Sequence, residues 1–118
     1  FDAIFDPYGF EDIDYGLRLK QKEYHIRLVP EARCRHISNY TFHRESHFHI
    51  CNTTQRRLLC AYKHVPFVFF IGAFLPWFFL RRVIFPFFKF SLHGQFHLAS
   101  AALRGAKNGA MAILKFRK

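Results

Sequence analysis

The feature that most limits the possible folds is a run of sixteen residues, 65–80, that carries no charge and is interrupted by Pro66, Gly72 and Pro76. As an unbroken helix at about 1.5 Å per residue it would reach roughly 24 Å, short of the ~30 Å hydrocarbon thickness of a bilayer. Extending it to Phe90 supplies the length but places Arg81 and Arg82 near the middle, each at a cost of about 2.5–3.5 kcal/mol on insertion scales. A kinked pair of helices that dips into one leaflet, with the arginines snorkelling to the headgroups, avoids that cost.

Charge is distributed in the same sense. Residues 1–45 hold all eight acidic residues against seven Arg and Lys, whereas residues 46–118 hold eleven Arg and Lys and no acid, so the net charge of +10 belongs to the second part. Seventeen Phe, most of them after residue 64, exceed what a small soluble core needs. A basic, aromatic half points to an anionic lipid surface, where each nearby Lys or Arg contributes about 1 kcal/mol. Nucleic acid is the rival partner for such charge. It is set aside because residues 65–80 offer no polar face to phosphates. The three cysteines, Cys34, Cys51 and Cys60, have no C-x-x-C spacing and are odd in number, which fits a reducing cytoplasmic setting rather than a disulfide framework or a zinc ribbon.

Along the chain, residues 1–10 read as a loop, with Asp6, Pro7 and Gly9 as turn residues. Residues 11–22 read as a helix with acids in its first turn and Lys20 and Lys22 in its last. Residues 25–29 alternate apolar and polar up to Pro30 and read as a short strand; residues 34–37 read as a second. Residues 38–52 read as a loop, and Thr53 or Thr54 as the cap of a helix through Lys63. Residues 97–116 read as a basic, Ala-rich helix in which Gly105 and Gly109 mark either a break or a close helix approach. His43, His47 and His49 read as part of a solvated loop, since Glu45 is one place away from where H-E-x-x-H needs it.

An acidic block, Glu11, Asp12 and Asp14, stands twenty-four positions ahead of His36 at Asp12, a spacing that lets a carboxylate and an imidazole meet. First-turn acids are often only complements of the helix dipole, and Asp14 reads as the partner of Arg18 four positions on. The ordered set is more specific: Phe1-Asp2, Phe5, Tyr8, Glu11-Asp12-x-Asp14, Leu17-Arg18, Tyr24-His25-Ile26-Arg27, Val29-Pro30-Glu31-Ala32 and His36. Over roughly the first forty residues it resembles the C-terminal part of a family 2, GT-A-type glycosyltransferase, close to the rhamnosyl- and galactofuranosyltransferase-like branch.

The resemblance implies an α/β fold, with residues 1–50 as the C-terminal part of a GT-A (Rossmann-like) domain and residues 51–118 as a membrane-associated helical tail. It implies inverting transfer of a sugar from a nucleotide-sugar donor to a hydroxyl of a glycan or lipid-linked acceptor. Asp12 is then the base, Glu11 orients the acceptor, and His36 joins a divalent metal, Mn²⁺ or Mg²⁺, at the diphosphate. The setting implied is the cytoplasmic face of the inner membrane. Nothing in the chain resembles a nucleotide-binding half, so these 118 residues are expected to be part of a longer protein and inactive alone. The reading of a different class is a non-catalytic membrane-surface or scaffold module.

Overall fold

Acids at one end and bases at the other set the first helix. In a computed structural model, which describes residues 2–35 and 46–116, α1 spans Glu11–Gln21, with Glu11, Asp12 and Asp14 in its first turn and Arg18 and Lys20 in its last. Phe10 leads into it at φ 72°, a left-handed conformation that a bulky L residue adopts only when its surroundings impose it. Those surroundings are Phe5, Leu59 and Cys60, which bury the Phe10 and Leu17 side chains between α1, the N-terminal turn Ala3–Phe5 and the next helix.

Helix α2 spans His47–His64, starting six residues before the expected cap. Ser46 caps it instead, its Oγ accepting from the His49 N–H at 3.1 Å. Thr53 lies inside the helix and donates to the His49 carbonyl at 2.7 Å. The expected division at residue 50 falls within its first turns.

Helix α3 spans Phe67–Leu92 without interruption, so its prolines do not break it into a pair. Two stretches, Phe70–Phe74 and Phe79–Ile84, are wound in the wider i→i+5 register, and each ends two residues before a proline, Pro76 and Pro86. That register gives the ring room and absorbs the hydrogen bond that proline cannot donate. Gly94, at φ 69°, closes the helix, with Gln95 N–H returning to the Phe90 carbonyl at 2.8 Å.

Helix α4, Phe96–Phe116, packs along α2 through Gly105, Ala106 and Gly109, and Ala101 and Ala102 of the same helix are buried as well. A Cβ at Gly105 would run into the Cys51 carbonyl oxygen, and one at Gly109 would come within 3.0 Å of Leu58 Cδ2. The two glycines therefore mark a close approach of backbones, not a break. Leu58, Ala61, Phe70, Phe78, Val83 and Ala106 form the core where α2, α3 and α4 meet.

The α/β expectation is overturned. The fold is helical, and no strand forms among the described residues. Residues 25–29 take no regular structure and are exposed, Leu28 at 90%, because among the described residues no second strand lies beside them to complete a ladder; the second expected strand, 34–37, lies partly outside those residues. Alternation supplies a face for a strand, but not a neighbour. The turn at Val29 is present, with the Ala32 N–H donating to the Val29 carbonyl at 3.1 Å.

Candidate functional site

The three first-turn carboxylates of α1 are put to different uses. Asp14 is fully buried and takes Arg18 Nε at 2.8 Å on one oxygen, with Lys63 Nζ and His64 Nε2 both at 2.7 Å from the other. Lys63 also reaches Asp2 at 2.7 Å, and Gln21 approaches His64 at 3.4 Å. This knot ties both ends of α1 and the N-terminal turn to the last turn of α2. Burial pushes the Asp14 carboxyl up, but the hydrogen bonds from Lys63 and His64 outweigh it and hold the group below its ordinary value. Lys63 shows the mirror image: burial pulls it down, and Asp14 and Asp2 together raise it above its ordinary value.

Asp12 is exposed, and among the described residues its carboxylate accepts only from the Ile13 N–H, at 2.8 Å. No cation pairs with it there. Glu11, half-buried, folds back to accept from the Gly9 N–H. The carboxylate assigned the base role therefore faces solvent on a helix that its neighbour Asp14 anchors. His36, together with Ser38, Arg44 and His43, lies outside the described residues. Among the described residues no three His, Cys, Asp or Glu side chains converge as a metal site.

Neither of the two hollows described here is lined by Glu11 or Asp12. A smaller hollow lies beside α1 between Tyr15, Arg18 and Tyr24. The larger, about 610 Å³, runs between α2 and α3. Arg57 projects into it from α2, and Arg81, Arg82 and Lys89 from α3, against Trp77 and Phe78. Burial, reinforced by the Arg82 guanidinium, pushes Arg57 below its ordinary value. Arg57 also sits over the Phe10 ring, 5.1 Å from its centroid, which connects this groove to the residue just before Glu11 and Asp12.

The chain matches no family model, no curated protein and no solved structure with which it was compared.

Sequence reasoning missed the groove because its cations are scattered over thirty-three positions, from Arg57 to Lys89. The available signal was the absence of any acid after Glu45, which leaves these four without a carboxylate in their own part of the chain.

Proposed function

We propose that the chain serves an inverting glycosyltransferase held at an anionic membrane surface, with Asp12 as the base for the acceptor hydroxyl. The observation that carries this reading is the division within the acidic block: Asp14 is sequestered with Arg18, Lys63 and His64, while Asp12, two residues away, is presented to solvent and pairs with no cation among the described residues. A base must reach its substrate and must be held still, and these two carboxylates supply one requirement each.

In the reaction, Asp12 accepts the proton of the acceptor hydroxyl as its oxygen attacks the anomeric carbon of the donor sugar. The bond from that carbon to the diphosphate breaks on the opposite face, so configuration inverts and the nucleoside diphosphate leaves with the electron pair. Glu11 steadies the loop at Gly9 and the acceptor beside it. His36, outside the described residues, would help hold a Mn²⁺ or Mg²⁺ ion, which would supply charge neutralisation to the leaving diphosphate.

Membrane placement is supported by α3. It is long and apolar enough to cross a bilayer, and only 17% of its most apolar stretch is buried inside the molecule. Phe67, Phe69, Trp77 and Phe88 are each more than 60% exposed, a surface that water does not favour. Arg81 and Arg82 near its middle favour a helix lying at the headgroups of the cytoplasmic leaflet over one that spans.

The test is transfer by the protein that carries this segment, offered a panel of nucleotide sugars. Asp12→Asn is expected to abolish transfer and leave nucleotide-sugar binding intact; unchanged turnover removes Asp12 from the reaction. The second reading, a membrane-surface module without catalysis, is favoured by the exposed apolar face of α3. It predicts no transfer from any donor, with vesicle binding indifferent to Asp12.

A further inference from the structure

The groove between α2 and α3 brings four cations, Arg57, Arg81, Arg82 and Lys89, to one concave surface whose lining holds no Asp or Glu. Among the described residues none of the four makes an ion pair. Like charges gathered this way repel unless an anion joins them, and nothing in the chain's own second part can supply one. Among the described residues no carboxylate pairs with them, and an anion from outside the chain would balance their charge.

Two observations narrow its chemistry. Three of the four cations are guanidinium groups, whose planar forks match the oxygens of a phosphate. The same lining is also apolar, with Phe74, Trp77, Phe85 and Phe90 on the helix that carries three of the cations, and Phe67, Phe69, Phe79 and Phe88 of that helix stand exposed. A ligand that fits this mixed lining carries a phosphate and hydrocarbon together.

We propose that this groove seats the phosphate headgroup of one anionic membrane lipid, gripped by Arg57 and Arg82, with its acyl chains along the aromatic wall of α3. The inference rests on the membrane placement above and not on sugar transfer. Diffuse attraction of a basic tail to a charged surface depends on net charge alone. A seated lipid is saturable and depends on which cations are removed.

Trp77 is the chain's only tryptophan and lines the groove, with Arg81 Cζ 5.8 Å from its ring, so its fluorescence reports on occupancy. The full chain is placed in zwitterionic dodecylphosphocholine micelles and titrated with short-chain phosphatidylglycerol. The emission change is expected to saturate near one lipid per chain. Arg82→Gln, at an exposed position, weakens the midpoint about ten-fold, and Arg57→Gln with Arg82→Gln about a hundred-fold, at unchanged helix content by circular dichroism. Lys107→Gln with Lys115→Gln removes the same charge from exposed positions on α4 and leaves the midpoint where it was. An unsaturable signal, or equal weakening by the α4 pair, overturns the seated lipid in favour of diffuse attraction. Inorganic phosphate competing at the lipid's own midpoint overturns the lipid as its source. A chain that stays out of the micelles overturns the placement itself, whereas one that enters without a saturable signal overturns only the groove.

Discussion

Three glycine-to-alanine changes of identical chemistry should have three different outcomes, because the space beside each glycine differs. In a helix interior, alanine is favoured over glycine by about 1 kcal/mol, and Gly72 has nothing within 4 Å of an added Cβ, so Gly72→Ala keeps most of that gain. At Gly109 the nearest atom, 3.0 Å away, is Leu58 Cδ2, the tip of a side chain that can rotate, and the Gln55 carbonyl stands at 3.3 Å. There the gain and the crowding offset each other to within about 1 kcal/mol. At Gly105 the obstacle is the Cys51 carbonyl oxygen, with Thr54 Cβ at 2.9 Å behind it, and backbone cannot turn aside. Helix α2 must move off α4, at the upper end of the roughly 1–3 kcal/mol range for overpacking, which leaves a net loss of about 2 kcal/mol. For a chain of this size that lowers the melting temperature by roughly 10 °C. Melts followed by far-ultraviolet circular dichroism in one zwitterionic micelle should rank Gly72→Ala highest, Gly109→Ala near the parent and Gly105→Ala lowest. A Gly105→Ala protein as stable as the parent refutes the close packing of α2 on α4.

The knot around Asp14 gives stability a flat middle and two edges in pH. Asp14 is held low, so its contribution is present above about pH 3.9, the ordinary carboxyl value, and is lost as pH falls through its lowered folded value. Lys63 is held high, so its contribution is present below about pH 10.4 and is lost as pH rises through its raised folded value. Melting temperature against pH should show this plateau, and Asp14→Asn should blunt both edges. Phe78, 2% exposed at the centre of the core, should lose about 3–5 kcal/mol on Phe78→Ala. Phe69, 66% exposed, should instead weaken partition into vesicles on Phe69→Ala, with a melting temperature close to that of the parent.

Local signals read from the sequence survive where the element needs only itself. Helix α1 lies within one residue of its expected bounds because its charges, and the Asp14 to Arg18 pairing at i and i+4, are internal to it. Helix α4 likewise begins one residue before its expected start. The start of α2 was not legible, since His47 to Cys51 show no apolar period. They are helical because α4 lays Gly105 against Cys51 and because Asn52 Nδ2 donates to the Tyr8 carbonyl at 2.5 Å, both partners distant in sequence. Alternation at residues 25–29 pointed to a strand because pattern records a face and not a partner. The prolines of α3 pointed to breaks because a register change to i→i+5 has no sequence marker. At the site, the acidic block was legible as a block. Its division was legible only for Asp14, through Arg18; that Lys63 and His64 complete its burial is a property of the packed helices.

The division between Asp12 and Asp14 is tested most directly by measuring turnover and melting temperature side by side for Asp12→Asn and Asp14→Asn in the protein that carries this segment. Asp12→Asn should lower transfer by about 10²–10⁴-fold with melting unchanged. Asp14→Asn should cost about 2–3 kcal/mol, less than a fully enclosed pair because Arg18 and Lys63 are 40% and 31% exposed. An Asp12→Asn protein that transfers sugar normally, or that melts as early as Asp14→Asn, contradicts the assignment.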